Sequence, residues 1–208
     1  MKIPQMTVSS YLDLLGSDTP APGGGSASAL CGAQGAALVA MVAGLTLGKS
    51  KYADNQELCL SVEKNATKLK NALVAQADED AQAFNLVSAA FKLPKVTDEE
   101  KSARKAAIAA ATLTATQVPF KTMELCLETL HYAKALVGHS NTNAASDLGV
   151  ASLNLIAGIR GAWLNVLINL GGIGDEATAA DYRRRGEQIV SEAEQESDEI
   201  YRNVIGNF

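Results

Sequence analysis

Residues 26–47 include no charged side chain and are mainly alanine, glycine, leucine and valine. With Gly48 directly after it, this segment predicts one long helix that ends at that glycine. Its small apolar side chains would let neighbouring helices approach closely. Residues 27–47 are also long enough to cross a bilayer, but they contain Gln34 and have no flanking aromatic belt. We therefore predict a buried core helix rather than a membrane span.

Signals for helices continue through the rest of the chain. They are capping residues, apolar stripes every three or four positions, and glycine or proline at the ends. They predict further helices over residues 8–15, 54–93 and 97–116. A kink or restart is expected at Pro119, after which the helix runs to residue 137. The last two helices cover residues 143–170 and the residues from Asp175 onward. No segment shows the sustained alternation of a strand. The predicted fold is an all-α, up-and-down bundle of long helices in a single domain, residues 1–208.

Charge and cysteine content exclude several classes of protein. The net charge is −5 and the pI is about 5.1, so no broad basic surface for nucleic acid is expected. The three cysteines lack CxxC spacing, which argues against a disulfide framework or a cysteine metal site. Neither histidine shows metal-ligand spacing. The N-terminal residues also lack an apolar run of signal-peptide type. We expect a cytoplasmic protein without metal, cofactor, nucleic-acid or membrane partner.

The run Gly23-Gly24-Gly25-Ser26 stands immediately before the small-residue helix. It has neither the P-loop spacing nor the dinucleotide-binding spacing, and no strand precedes it. Two interpretations remain open. It is either an entry turn with Ser26 as a plain cap, or a ligand cradle in which glycine amides at a helix N-terminus approach the ligand closely.

A stripe of short polar residues and glycines marks the predicted helix 143–170. On one narrow arc at 100° per residue lie Asn143, Asp147, Asn154, Gly158, Gly161 and Asn165. A solvated face would carry lysine, glutamate and glutamine instead. The stripe therefore indicates either a cavity wall whose amides bind a polar ligand, or a close helix–helix contact with amides bonded across it.

Two charged residues are candidates for proton transfer. Asp147 is the only acid on the stripe and could act as a general base, or it could simply complement the helix dipole. Lys49 follows the small-residue helix directly and could hold a carboxylate or donate a proton. A cation at a helix C-terminus is also common for electrostatic reasons alone.

Four stretches together resemble the formimidoyltetrahydrofolate cyclodeaminase and methenyltetrahydrofolate cyclohydrolase family. They are "PAPGGGSASALCGAQGAALVAMVAGLTLGKSKY", "LPKVTDEEKSARKAAI", "NTNAASDLGVA" and "GAWLNVLIN". The resemblance covers nearly the whole chain. It implies an all-helical homodimer that binds a reduced folate, with or without a polyglutamate tail, in a cleft. The folate would be the substrate and not a cofactor.

The resemblance implies two related reactions. The cyclohydrolase adds water to the methenyl carbon, and the cyclodeaminase releases ammonia from the formimidoyl form. We expect Asp147 and Lys49 to move protons, Asn143 and Asn165 to orient the substrate, and Gly23, Gly24, Gly25 and Ser26 to bind it. The chain has no room for a fused transferase domain, so the cyclohydrolase is favoured and the cyclodeaminase is the alternative. A non-enzymatic helical interaction protein and a folate carrier without turnover are the further alternatives.

Overall fold

The computed structural model describes residues 2–206, which form an all-α structure with no strand in that range. It contains the helices α1 (Val8–Leu15), α2 (Gly24–Gly44), α3 (Gln56–Phe91), α4 (Asp98–Leu136), α5 (Ala145–Leu170) and α6 (Glu176–Ile205). Short 3-10 turns cover Ile3–Gln5, Ser50–Asn55 and Thr142–Ala144. The predicted all-α class is confirmed.

Three helix starts follow the capping residues that the sequence shows. The Thr7 side chain accepts from the Ser10 amide ahead of α1. Thr97 and Glu100 form the reciprocal capping box of α4. Asp175 accepts from two amides in the first turn of α6. These local hydrogen bonds fix the boundaries because each satisfies donors that the first helical turn leaves free.

Helix α4 continues without interruption through Pro119, so a helix end near Thr116 with a restart at Pro119 is wrong. A proline cannot donate the backbone bond that the carbonyl four residues earlier would accept. That carbonyl belongs to Ala115, and the side-chain amide of Asn169 donates to it at 2.9 Å instead. A partner from another helix thus removes part of the cost that the sequence alone assigns to this proline.

Helices α2 and α5 occupy the centre of the bundle. Helix α2 packs against α3 and α5, while α5 also packs against α4 and α6. The two central helices run antiparallel, since Gly24 contacts Asn165 and Gly35 contacts Leu155. A Cβ at Gly35 or Gly158 would collide with or press against the facing helix. The glycines therefore permit the close approach that the small-residue composition predicts.

Both central helices are apolar enough for the membrane question to arise. By length and composition alone, the segments Gly24–Gly44 and Thr142–Leu170 could cross a membrane. In the structure, however, half of the most apolar window of α2 is buried inside the bundle. Val39, Val42 and Ala43 of α2 are fully buried against the common core. The structure thus gives α2 the role of a core helix.

Candidate functional site

A pocket of about 310 Å³ lies at the N-terminal end of α2. Residues of the loop before α2, of its first turn, and of α3, α4 and α5 form its walls. Those residues are Pro20, Ala21, Gly23, Gly24, Gly25, Asp80, Ala83, Phe84, Val87, Ala115, Asn165, Ile168 and Asn169. The volume is within the range of small-molecule sites, roughly 300–1,000 Å³. The glycine run is therefore part of a pocket wall and not only an entry turn.

Asp80, which projects from α3, is the only titratable residue among the residues that line this pocket. The Ser26 hydroxyl lies 3.1 Å from its Oδ2 and 2.7 Å from the Ala77 carbonyl oxygen, and it can donate to either. Burial raises the pKa of the Asp80 carboxyl above its ordinary value of 3.8, although hydrogen bonds from the Ser26 hydroxyl and amide act in the opposite direction. An acid in this state is suited to accept a proton near neutral pH.

The surroundings of Asp80 also contain a buried polar atom without a hydrogen-bond partner in the described part of the chain. The phenol oxygen of Tyr11 is buried and has no hydrogen-bond partner among residues 2–206. Burial raises the pKa of Tyr11, and the charge of Asp80 raises it further. The electrostatic influence of the Asp80 carboxylate thus extends to α1.

The glycines of the first turn of α2 leave space that side chains would fill. A Cβ on Gly25 would overlap the Asp80 carboxylate, whereas one on Gly24 would make only ordinary contact, 3.6 Å from Asn165 Nδ2. The cap residue Gly23 supplies no side-chain hydrogen bond. In the described part of the chain, no acceptor pairs with the amides of Gly24 and Gly25. Free amides at a helix N-terminus favour an anion or a carbonyl oxygen.

Two asparagines of α5 form the opposite wall. Asn165 Nδ2 donates to the Gly161 carbonyl at 2.9 Å, and Asn169 Nδ2 donates to the carbonyls of Ala115 and Asn165. These bonds hold both amide groups in fixed orientations with their oxygens as remaining acceptors. The apolar part of the wall comes from Phe84, Val87 and Ile168. The pocket thus combines apolar side chains with a few oriented polar groups, as small-molecule sites do.

The other predicted site residues lie at the opposite end of the central helices. Lys49 follows α2, and Asn143 and Asp147 stand at the start of α5. From Gly24 to Gly44, α2 rises about 30 Å at about 1.5 Å per residue. Lys49, Asn143 and Asp147 therefore do not join the glycine run in one pocket of a single chain, and their roles remain predictions.

The middle of the stripe on α5 is a helix contact. Gly158 and Gly161 pack against Ser28 of α2, and Cys31 Sγ donates to Asn154 Oδ1 at 3.5 Å across the two helices. Of the two interpretations of the stripe, the close contact therefore applies to its middle. Only Asn165 at its end faces the pocket.

Tyr52, three residues after Lys49, has a lowered pKa. The Thr142 amide donates to the Tyr52 phenol oxygen at 3.0 Å, and the Thr142 hydroxyl lies 3.3 Å from it. These hydrogen bonds, together with Lys51, lower the pKa of Tyr52 to about 8. A phenol of this kind can give or take a proton near neutral pH.

The sequence profile of the family described as formiminotransferase-cyclodeaminase matches residues 7–188, which is most of the chain. The chain belongs to this family. The resemblance drawn from the glycine run and the three other stretches is thereby confirmed.

Relatives within the formiminotransferase-cyclodeaminase family are similar over most of the chain. Methenyltetrahydrofolate cyclohydrolase of Methylorubrum extorquens is 41% identical over 198 residues, which is 95% of each chain. Formimidoyltransferase-cyclodeaminase of Gallus gallus is 34% identical over 90% of this chain, which spans only 35% of that longer protein. The crystal structure of formiminotetrahydrofolate cyclodeaminase from Thermotoga maritima matches 98% of the chain with a TM-score of 0.81 and 26% identity.

Sequence reasoning missed Asp80 in this family member. Charged residues are frequent along α3, as on a partly exposed helix, and Asp78 and Asp80 are among them. Yet Asp80 lies seven residues after the buried Leu73 and three before the buried Ala83, which places it on the core side of α3. A carboxylate in phase with an apolar stripe was the available signal.

Neither histidine shows metal-ligand spacing in the sequence, but the structure gives His131 two acidic neighbours that spacing cannot show. Its Nε2 lies 3.2 Å from Glu192 Oε1 and 3.6 Å from Glu196 Oε2 of α6. Ligand atoms of the three residues lie within 4.8 Å of one another. Lys134, however, already supplies positive charge to Glu196 and Glu199. The cluster is an ion-pair network between α4 and α6.

Proposed function

We propose that this protein hydrolyses 5,10-methenyltetrahydrofolate to 10-formyltetrahydrofolate. The observation that carries the proposal is the 41% identity to the Methylorubrum extorquens cyclohydrolase over 95% of both chains. The match extends over 198 residues of both chains. The pocket at the glycine run supplies the chemical basis.

The reaction requires a group that accepts a proton from water. Water adds to the cationic methenyl carbon, which gives a tetrahedral carbon bonded to N5, N10 and oxygen. The bond to N5 then breaks as N5 takes up a proton, and the formyl group remains on N10. Asp80 is the acceptor in this proposal because burial raises its pKa while leaving it in contact with the pocket. Its negative charge also stabilises the cationic substrate beside it.

The remaining pocket residues are suited to hold a flat, polar ring. Gly24 and Gly25 allow the ring to approach the backbone, and their free amides donate to its carbonyl oxygen or nitrogens. Asn165 and Asn169 offer amide oxygens to its N–H groups. Phe84 supplies an apolar surface on which the ring can rest.

A polyglutamate tail is also part of the proposal. A second pocket includes Gly171, directly after α5, in its wall and is lined by four cationic side chains. They are Lys95, Lys101, Arg104 and Lys105. Arg104 is held in place by hydrogen bonds from its guanidinium to the Phe91 carbonyl oxygen. Several cations at one site favour a ligand with several carboxylates.

The second candidate is the cyclodeaminase reaction. Its support is the similarity to formimidoyltransferase-cyclodeaminases, at 34% identity for Gallus gallus and 35% for Sus scrofa, and to the Thermotoga maritima structure. Both reactions pass through a tetrahedral carbon between N5 and N10, so one pocket can serve either. For either reaction, we propose that the protein is a cytoplasmic homodimer and uses no cofactor.

The deciding experiment gives the purified protein both substrates side by side. We expect rapid loss of the methenyltetrahydrofolate ultraviolet band and little ammonia from formimidoyltetrahydrofolate. Ammonia release without methenyl hydrolysis would reverse the assignment. Inactivity towards both, together with no thermal shift by a reduced folate, would leave the interaction-protein alternative.

A further inference from the structure

The Ser26 side chain is fully buried, although Ser26 follows directly on the glycines that line the pocket. Its exposed fraction is 0%, and the pocket wall is formed by Gly24 and Gly25 before it. A folate in the pocket would contact these glycines and not the Ser26 hydroxyl. The hydroxyl can therefore act on the reaction only through another group of the protein.

Two acceptors on α3 lie within reach of the Ser26 hydroxyl. Its Oγ lies 2.7 Å from the carbonyl oxygen of Ala77 and 3.1 Å from Oδ2 of Asp80. A hydroxyl has one hydrogen to donate, and rotation about the Cβ–Oγ bond selects the acceptor that receives it. The Ala77 carbonyl has two lone pairs, so it can accept this hydrogen in addition to a helical bond.

The charge of Asp80 decides between the two acceptors. A hydrogen bond to an ionised carboxylate is roughly twice as strong as one between neutral groups. The Ser26 hydroxyl therefore donates to Oδ2 while Asp80 is ionised. Once Asp80 holds a proton, the carboxylate loses this advantage, and the nearer carbonyl of Ala77 receives the hydrogen instead.

We propose that the Ser26 hydroxyl is a two-position switch that follows the protonation of Asp80, so that Ser26 positions the base instead of contacting the substrate. The inference rests on the proposed function for the chemistry of Asp80. As water adds to the methenyl carbon, one of its protons passes to Asp80 and the Ser26 hydroxyl turns to Ala77.

The second half of the reaction returns the switch to its first position. As the bond to N5 breaks, Asp80 gives its proton to N5, and the Ser26 hydroxyl turns back to Oδ2. The proton of the hydroxyl group that water has formed on the carbon leaves to solvent. The buried hydroxyl of Ser26 thus has an acceptor in both states, which avoids the cost of an unpaired donor away from water.

Other titratable groups near Asp80 leave the control of its charge to Ser26. Helix α2 has no charged residue, and the residues of α4 and α5 that line the pocket are neutral. Burial raises the pKa of Tyr11 on α1, so its phenol stays neutral while Asp80 titrates. On α3 itself, Asp78 accepts from the Ile3 amide and Gln82, and Glu79 accepts from Gln76.

The pH dependence of turnover tests the switch. Ser26→Ala removes the donor to the ionised carboxylate, so the pKa of Asp80 rises further. We expect the acidic limb of kcat/KM for methenyltetrahydrofolate to move up by about one pH unit, which is a loss of about tenfold on the limb. The plateau above the limb should be largely kept. Ser26→Cys, with a similar volume and a weak donor, should give a limb between those of Ser26→Ala and the wild type.

The matched control is Ser152→Ala. Ser152 is equally buried, and its hydroxyl donates to the Gly149 carbonyl within α5 at 2.8 Å. Its removal should leave the acidic limb at the wild-type position. An unmoved limb in Ser26→Ala and Ser26→Cys would overturn the proposal. So would an equal loss of rate at every pH, because a packing defect alone produces that result.

Carbon-13 NMR tests the switch without any use of activity. The side-chain carboxyl signal of Asp80, identified by its absence from Asp80→Asn, gives the pKa of Asp80 directly. We expect a higher pKa in Ser26→Ala than in the wild type. The backbone carbonyl signal of Ala77 should follow the Asp80 titration, with a larger amplitude in the wild type than in Ser26→Ala.

The NMR outcomes separate the switch from the proposed function. Equal pKa values of Asp80 in the two proteins would overturn the switch, and so would equal amplitudes at the Ala77 carbonyl. If both differences are found and the wild type fails to hydrolyse methenyltetrahydrofolate, the proposed function is wrong while the switch stands.

Discussion

The side-chain amide of Asn169 donates to the carbonyl oxygen of Ala115 at 2.9 Å. Pro119 deprives this carbonyl of its helical donor, so α5 supplies what α4 lacks. Both Asn169 and Ala115 line the candidate pocket. The bond therefore holds two walls of the pocket at a fixed separation and explains how α4 passes through a proline without ending.

This bond can be tested with a double-mutant cycle. We expect Asn169→Ala to lower the free energy of unfolding by about 1 kcal/mol, the net value of such a bond. In a Pro119→Ala background, where residue 119 regains an amide, the same change should cost less. Urea unfolding of the four proteins measures the coupling. Equal losses in both backgrounds would show that the two residues act independently.

Removal of the Asp80 carboxylate should abolish turnover and leave the fold intact. We expect Asp80→Asn to lower kcat by about 100-fold or more, the usual contribution of a general base. Asp78→Asn is the matched control, since Asp78 bonds the Ile3 amide and Gln82 outside the pocket. The methenyl hydrolysis assay gives kcat, and circular dichroism confirms the fold. Comparable losses in both variants would remove Asp80 from its assigned role.

The raised pKa of Asp80 also predicts how stability depends on pH. Between the ordinary pKa of 3.8 and the higher folded value, the folded state binds more protons than the unfolded state. Stability from this group therefore falls as pH rises through that interval. Asp80→Asn should raise the melting temperature near neutral pH, and the gain should vanish below pH 3.8. A variant that is less stable than the wild type at neutral pH would contradict this sign.

Two neighbouring glycines should respond differently to substitution. Gly25→Ala places a Cβ against the Asp80 carboxylate, so both stability and activity should fall. Gly24→Ala meets only ordinary contacts, and Gly24→Val extends further into the pocket. We expect Gly24→Val to weaken folate binding more than it lowers stability. Calorimetric titration with a reduced folate measures the affinity, and thermal unfolding measures the stability. A loss of stability without a loss of affinity would show that Gly24 serves only as part of a turn.

The pKa of Tyr52 should lie below that of an ordinary tyrosine. Its pKa of about 8 compares with 10.0 for a free phenol, chiefly because of the hydrogen bonds with Thr142. Ultraviolet difference spectra should show one phenolate forming near pH 8, and Tyr52→Phe should lack this step. Between about pH 8 and 10 the unfolded state binds more protons at this residue, so it makes stability rise with pH. A spectrum with no titration below pH 9 would contradict the prediction.

The features of the fold that the sequence predicts correctly depend on residues that lie close together in the chain. Thr7, Thr97 and Asp175 cap the helices that the sequence assigns to them, because a cap bonds amides two or three residues away. The restart expected at Pro119 is wrong for the complementary reason. The donor that replaces its missing amide comes from Asn169, 50 residues later, and no local pattern reveals such a partner.

The sequence by itself determined the all-α class and the family, since periodicity, capping and motif are local properties. For the glycine run it left both an entry turn and a ligand cradle open. Only the tertiary structure decided which polar residues meet that run. The antiparallel packing of α2 and α5 brings Asn165 to Gly24 and carries Asp147 about 27 Å away from Asn165, at about 1.5 Å per residue. Packing of α3 against α2 places Asp80 beside Ser26 and partly shields its carboxylate from water. Burial and proximity arise from contacts between distant segments, so residue type and spacing alone do not determine them.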